Sequence, residues 1–138
     1  MRCHLDRVQA SLLDPAAAPL VTRDRALAER SGRRAERNAA WWLRLKGWTI
    51  LAQRARVRGG EVDIVARRGR VIAFVEVKAR RSEHEAGFAL DHYRLRRVYV
   101  AASVLFERYR REGDDMRVDA ILIVPGRWPR HLVNLWRD

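Results

Sequence analysis

The chain has one cysteine and no long apolar run, and each of these shortages excludes a class of protein. Its single cysteine, Cys3, has no partner for a disulfide within the chain and cannot supply a cysteine-based zinc site. No apolar run approaches the roughly 18–20 residues of a membrane-spanning helix, and the N-terminus lacks the apolar core of a secretory signal. We therefore expect a cytoplasmic protein in a reducing compartment, without a membrane partner.

Positive charge, in contrast, is abundant. The chain has 29 lysines and arginines against 17 acidic residues, a formal net charge of +12 in 138 residues. A charge of this size favours a polyanionic partner, because each phosphate that a basic side chain neutralises releases a condensed counterion. We expect nucleic acid as the partner. Charge alone specifies no reaction, however, and ribosome-associated or merely arginine-rich chains are also small and basic.

The basic residues are almost all arginines, and only Lys46 and Lys78 are lysines. A lysine in such a chain indicates a position at which a compact ammonium is needed rather than a planar guanidinium. Lys78 is the more informative of the two, because it lies in the most apolar part of the sequence, in the run FVEVKAR.

The order of apolar and turn-forming residues predicts one domain after a leader. Residues 1–24 contain Pro15 and Pro19 among small residues and show no sustained periodicity, so we expect a flexible N-terminal extension. Residues 25–138 are enough for a single domain with its own core.

Within that domain the patterns predict two helices and five strands. Apolar residues at spacings of three and four predict helices over 26–46 and 89–111. Segments rich in β-formers predict strands over 48–57, 60–66, 70–80, 116–124 and 131–136. The order α-β-β-β-α-β-β predicts an α/β fold with a central mixed sheet between helices. We expect Trp41, Trp42 and Trp48 to pack the first helix on the sheet rather than to stack on bases.

Three charged residues lie inside the predicted second and third strands. Alternation places Asp63 on one face of the second strand, and Glu76 and Lys78 together on one face of the third. A hairpin that turns near Gly69 brings Asp63 beside the segment that ends at Glu76. If both charged faces lie on the same side, the three side chains converge.

Two carboxylates and an amine at that place suit metal-assisted phosphate chemistry. Oxygen ligands from Asp63 and Glu76 suit Mg²⁺, or Mn²⁺ in its place, which keeps several waters and is shared with substrate phosphates. Lys78 would either orient the attacking water or neutralise charge in the transition state, and Glu36, on the rim of the first helix, would complete the shell.

Each acid also has a plainer interpretation. Asp63 and Glu76 could form ion pairs with Lys78 or an arginine, although burying such a network costs several kcal/mol and this favours a functional site. Glu61, at the start of its strand, could be merely solvated. For Asp119 we expect a structural pairing with an arginine of the second helix.

The charged run resembles the active-site signature of the PD-(D/E)XK nuclease superfamily, an acid on one strand followed by E-x-K on the next. Here the signature reads Asp63, then Glu76-Val77-Lys78. A closer resemblance is to the YraN-like family of small bacterial proteins. Its motifs match Gly32, Ala35-Glu36, the run GEVDIV over 60–65, the run FVEVKAR over 74–80, and RVD over 117–119. These motifs extend over most of the chain.

This resemblance implies a restriction-endonuclease-like three-layer core with metal binding by Asp63 and Glu76, Lys78 as catalytic lysine and Glu36 as the helix-borne acid. The implied activity is Mg²⁺-dependent hydrolysis of DNA phosphodiester bonds, on branched or junction DNA in repair or recombination. Kinship with archaeal Holliday junction resolvases implies a homodimer, because paired cuts need paired sites. Where the family usually has a lysine near the start of the second helix, this chain has Tyr93 and Arg94.

Basic residues near this site are the expected contacts to DNA. They are Arg80, at the end of the third strand, and Arg94, Arg96 and Arg97 in the second helix. A second hypothesis keeps the fold and the partner but not the reaction: a catalytically silent nucleic-acid-binding module.

Overall fold

The structure is a computed structural model that describes residues 20–82 and 92–136, with side chains from residue 26 onwards. Its helices are α1 (Leu20–Leu45) and α2 (His92–Tyr109). Its strands are β1 (Thr49–Val57), β2 (Gly60–Arg68), β3 (Val71–Ala79), β4 (Asp115–Ile123) and β5 (Arg130–Leu132). The order of elements agrees with the sequence prediction. Most of the expected extension and the predicted first turn of the second helix lie outside the described residues.

Helix α1 begins at Leu20, six residues before the predicted start at Ala26. By its contacts the chain divides between Ser31 and Gly32. The first unit includes the N-terminal turns of α1. The second unit holds the remainder of α1, the whole sheet and α2.

The five strands form one mixed sheet in the order β1-β2-β3-β4-β5. The first three strands form an antiparallel meander, as predicted. Strand β4 then pairs in parallel with β3, because the chain crosses over through α2 before it returns to the sheet. Strand β5 is short and antiparallel to β4. Strand β3 is therefore central, and its run VIAFV is buried throughout after the first residue.

Each face of the sheet is covered by one helix. On one face α1 packs Ala39, Ala40 and Leu43 against a core from β2, β3 and β4. On the other face α2 packs its buried residues against a second core from the same strands. The α2 residues in this second core are Val98, Ala101, Ala102 and Leu105. The result is a three-layer α/β fold with the mixed sheet in the middle, which confirms the predicted fold class and is consistent with a nuclease-like core.

Strand β2 is irregular at Asp63. Val62 and Val65 both pack in the core beneath α2, although residues three apart on a regular strand point to opposite faces. Backbone pairing between β2 and β3 ends at Ile64 and Val75. Across from Asp63 on β1, Arg54 has a left-handed φ of 52°, a conformation that is unfavourable for residues other than glycine. Strand β2 therefore bends away from β3 at the position of the acid.

The start of β2 lies directly against α2. A Cβ added at Gly60 would be 2.8 Å from the carbonyl oxygen of Arg97 and 3.0 Å from the Cβ of Ala101. Only glycine allows this approach. The close contact holds the N-terminal half of α2 next to the bend in β2.

Two predictions about individual side chains were wrong. Trp48 is buried as expected, but Trp42 is half-buried because it lies at the edge of the α1 stripe that faces the sheet, and Trp41 is 63% exposed because it lies on the opposite side of the helix. Asp119 is fully buried but does not pair with α2. Its carboxylate accepts hydrogen bonds from Arg117, on its own strand, and contacts His131 of β5.

Candidate active site

The bend in β2 opens a pocket between the sheet and α2. Since Ile64 pairs with Val75, the next residues along the two diverging strands are Asp63 and Glu76. Both side chains line the pocket, as the alternation pattern predicts. The remaining lining residues are Glu61 from β2 and Arg94, Arg97 and Val98 from α2.

A backbone hydrogen bond fixes the carboxylate of Asp63. The N–H of Val77 donates to Asp63 Oδ2 at 2.8 Å, at the place where β3 has lost its backbone partner on β2. The side chain thus satisfies a donor that would otherwise be buried without an acceptor. The same bond holds the acid beside Glu76.

The two acids are close enough to affect each other. Burial and the neighbouring charge of Glu76 raise the pKa of Asp63 to about 7, against the lowering effect of the Val77 N–H. The charge of Lys78 lowers the pKa of Asp63 only partly, because its ammonium group bonds to Glu76. The carboxyl group of Asp63 is therefore harder to ionise in the folded protein than in water.

Lys78 lies on the same face of β3 as Glu76, as the alternation predicts. Its Nζ is 2.8 Å from Glu76 Oε1, and both side chains are nearly buried. A guanidinium nitrogen of Arg94, whose side chain is 59% exposed, lies 3.6 Å from the same oxygen. Glu76 therefore meets one buried ammonium and one guanidinium that reaches in from the solvent side.

Glu36 does not line this pocket. Its carboxylate accepts a hydrogen bond from Arg54 Nε at 2.8 Å, and its charge adds to those that raise the pKa of Asp63. Within residues 20–82 and 92–136, no group of three His, Cys, Asp or Glu side chains is arranged to hold a metal ion. The structure brings Asp63, Glu76 and Lys78 together and leaves Glu36 bound to Arg54.

The four arginines expected to contact DNA divide into two groups. Arg94 and Arg97 line the pocket. Arg96 is exposed on α2 outside the lining, and Arg80 donates to the carbonyl oxygen of Ala79 at the end of β3. Glu61, which alternation places on the face of Asp63, lines the pocket, and its carboxylate, 40% exposed, pairs with Arg56 at 3.3 Å.

A different acid, Asp114, was missed by the sequence analysis. It accepts hydrogen bonds from Arg67 at 2.9 and 2.7 Å and from the backbone N–H of Arg111, and these bonds lower its pKa to about 2. The pair joins the end of β2 to the turn before β4. Its residues are far apart in the sequence, so no local pattern could reveal it.

The paired acids fit a hard divalent cation. Carboxylate oxygens are the ligands that Mg²⁺ and Mn²⁺ prefer, and a site with only two protein carboxylates suits an ion that keeps several waters. Burial, and after it the charge of Glu76, raises the pKa of Asp63, and a bound cation would oppose both effects by stabilising the ionised carboxylate. With Glu36 engaged by Arg54, the fit rests on Asp63 and Glu76.

The fold and the site together define a three-layer α/β protein with an acid pair and a lysine at a bend in its central sheet. Neither helix in the described part of the chain is long and apolar enough to cross a membrane. The sequence also matches a known protein family.

Residues 35–123 match the model of Uncharacterised protein family UPF0102. A UPF0102 protein of Sphingopyxis alaskensis is 58% identical over 113 residues, which cover 82% of this chain and 97% of the relative. A UPF0102 protein of Erythrobacter litoralis is 53% identical over the same shares, and one of Rhizorhabdus wittichii is 54% identical over 81% of this chain and 95% of its own.

The chain therefore belongs to the UPF0102 family, which is the YraN-like family that the motifs resemble. The matched region begins at Ala35, next to Glu36, and ends with β4. It contains all three acids that line the pocket, Glu61, Asp63 and Glu76, and Lys78.

Proposed function

We propose that the protein is a divalent-metal-dependent endonuclease that hydrolyses DNA phosphodiester bonds. The observation that carries the proposal is that Asp63 and Glu76, on neighbouring strands, line one pocket while Lys78 bonds to Glu76. An excess of cations in the chain as a whole, +12 at neutral pH, is the expected complement of a polyanionic substrate. The resemblance to junction resolvases favours branched DNA as the preferred form.

Asp63 and Glu76 are the residues that would hold Mg²⁺ or Mn²⁺. When bound, such an ion supplies Lewis acidity toward the phosphate and makes water a stronger nucleophile at neutral pH. The hydrogen bond from Val77 keeps Asp63 oriented toward Glu76, so the pair is organised before the substrate arrives.

The cationic side chains have separate roles. Lys78, held against Glu76, would donate toward the non-bridging oxygens of the phosphate as negative charge grows there. Arg94 and Arg97 would grip the neighbouring phosphates, because they form the wall of the pocket that belongs to α2. Arg80 and Arg96 lie outside the pocket and would contact only DNA that extends beyond it.

A second candidate is a nucleic-acid-binding module without catalysis. One observation favours it: Glu76 is already paired with Lys78, and Glu36 with Arg54, so two of the acids that could serve a metal have internal cations. In that protein the acids and cations would stabilise one another, and the arginines would bind phosphates alone.

Cleavage assays separate the two candidates. Purified protein is incubated with linear duplex, single-stranded and four-way-junction DNA in Mg²⁺, Mn²⁺ or EDTA. The matched variants are Glu76→Gln in the pocket and Glu107→Gln on the exposed far end of α2, which removes the same charge. The nuclease requires cleavage that disappears in EDTA and in Glu76→Gln but persists in Glu107→Gln. Binding without cleavage by the parent protein in either metal establishes the binding module instead.

A further inference from the structure

A second surface of the protein joins two tryptophans from distant parts of the chain. Trp42, near the end of α1, meets Trp128, in the connection between β4 and β5, with ring centroids 5.6 Å apart and planes inclined at 36°. Lys46, one turn after Trp42, has its Nζ 4.6 Å from the centroid of the Trp42 ring. These three residues form what we call the Trp42–Trp128 surface.

The contact leaves much of Trp128 in solvent. Its residue is 81% exposed, the largest exposure among the large hydrophobic residues in the described part of the chain. Trp42 contacts only one side of it, so an aromatic face remains open. Single exposed hydrophobic residues are common on proteins, but here two tryptophan rings and an ammonium group are contiguous, and contiguous surface of this kind is typical of binding sites.

The two segments that carry these tryptophans contain charges of one sign only. The two segments that meet are WWLRLKGW, over 41–48, and VPGRWPRHL, over 124–132, and they contain no acidic residue. Their basic residues are Arg44, Lys46, Arg127 and Arg130. An open aromatic face among cations matches the two repeating parts of a nucleic acid, the base and the phosphate.

We propose that the Trp42–Trp128 surface binds the unpaired bases of single-stranded nucleic acid. A base stacks on the open face of Trp128, and the adjacent phosphates lie near Lys46 and the surrounding arginines. Stacking of this kind needs no particular base, because every base has a π-face. The surface is built from α1 and the β4–β5 connection, whereas the acidic pocket is walled by α2, so binding here does not depend on the proposed nuclease function.

Other occupants fit the surface less well. A second copy of the chain would bring its own excess of positive charge against these cations, and like charges at short range repel. A duplex offers phosphates but keeps its bases stacked inside, so it could use the cations and not the rings. Unpaired bases are the partner that uses both.

The test compares a short fluorescent oligothymidylate with a phosphodiester strand of equal length that lacks bases. Binding is followed by anisotropy in EDTA at one ionic strength, so that cleavage plays no part. The variants are Trp128→Ala, Trp128→Phe and, as a matched control, Trp41→Ala, an exposed tryptophan of α1 that lies outside the surface. Because Trp128 is mostly exposed, its substitution should leave the thermal unfolding curve nearly unchanged.

The proposal requires Trp128→Ala to weaken binding of oligothymidylate about tenfold, Trp128→Phe to restore most of it, and Trp41→Ala to change it little. The strand without bases should bind all four proteins alike. Equal affinity of the parent protein and Trp128→Ala for oligothymidylate overturns the proposal, as does an equal loss for both strands. If sedimentation shows that Trp128→Ala changes the oligomeric state instead, the surface is a contact between copies and the proposal fails.

Discussion

The carboxylate of Asp63 accepts the backbone N–H of Val77 at 2.8 Å, on the residue that follows Glu76. This bond holds two acids on diverging strands toward one pocket, although burial and mutual repulsion oppose their ionisation. A fold selected only for stability gains little from such an arrangement, because an apolar pair would avoid the cost. We therefore expect the ionised acids to lower the stability of the fold and to bind cations.

The first prediction concerns the effect of the Asp63 charge on the stability of the fold. The pKa of Asp63 rises from an ordinary value of 3.8 to about 7 in the folded state, so the folded protein binds this proton more tightly than the unfolded chain does. Ionisation therefore costs stability as pH rises from about 4 to 7, and the whole cost is present above about pH 7. In EDTA near pH 8, Asp63→Asn should melt several degrees higher than the parent protein, and this gain should vanish near pH 4.

The amide introduced by Asp63→Asn retains an oxygen for the Val77 N–H, so the substitution removes charge more than structure. Glu112→Gln, at an exposed position, serves as the control and should shift the melting temperature little at either pH. A melting temperature of Asp63→Asn below that of the parent protein at pH 8 would mean that the ionised acid stabilises the fold.

The second prediction concerns Lys78. Replacing it with alanine should lower the rate of DNA cleavage by about 10²-fold or more, because a donor directed at the transition state is lost. Affinity for DNA should change little, since one cation among many is removed. Single-turnover cleavage and anisotropy on the same junction separate the two effects. Arg108→Ala, on the exposed side of α2, removes an equal charge and should keep its cleavage rate. Full activity in Lys78→Ala would exclude a catalytic lysine.

The third prediction concerns the wall of the pocket. Arg94→Ala combined with Arg97→Ala should weaken DNA binding and reduce the slope of log affinity against log salt by roughly 1–2 units, because about 0.9 counterion is released per phosphate contact. Titrations at several salt concentrations measure the slope. An unchanged slope would place the DNA on another surface of the protein, and the Trp42–Trp128 surface is the next to test.

The sequence predicted the sheet, both helical layers and the convergence of Asp63, Glu76 and Lys78, because each follows from local periodicity and a short hairpin. Alternation holds from the turn at Gly69 as far as Asp63 on β2 and Lys78 on β3, so the register of the hairpin decides that these side chains meet. The same local rules predicted Glu36 in the site, but the structure places its carboxylate on Arg54. Its helical angle faces the sheet, but its partner depends on the bend of β2 and on the unusual backbone of Arg54.

The predictions for Trp42 and Asp119 were wrong for a related reason. Trp41 lies on the side of α1 opposite Ala39 and Leu43, so helical periodicity could have placed it in solvent, whereas the contact of Trp42 with Trp128 joins two distant elements. Asp119 found its partners on its own strand and on β5 rather than on α2. Both outcomes depend on how the last segment of the chain folds back over the sheet, a contact between elements that no local pattern encodes.

The fourth prediction tests the contact between β2 and α2. In Gly60→Ala the new methyl group would lie 2.8 Å from the Arg97 carbonyl oxygen, so strand or helix must move. We expect a loss of about 1–3 kcal/mol in the free energy of unfolding, together with weaker metal and DNA binding as the wall of the pocket shifts. Gly32→Ala in α1 meets no atom within 4 Å and should gain roughly 0.5–1 kcal/mol. Chemical denaturation measures both, and equal stability of Gly60→Ala and the parent protein would refute the close packing.

The last prediction concerns Asp119, which is fully buried on the α1 side of β4. Burial opposes its ionisation, but hydrogen bonds from His131 and Arg117 outweigh this and lower its pKa. Asp119→Asn places an amide donor among these donors and should cost about 3 kcal/mol at neutral pH, whereas Asp115→Asn, at the exposed start of the same strand, should cost little.

Because the folded pKa is depressed, the stabilisation exists above the unfolded value of 3.8 and disappears as pH falls through the folded pKa. Denaturation across pH should therefore show the two proteins converging below about pH 4, and a constant difference would mean that Asp119 acts through its shape rather than its charge.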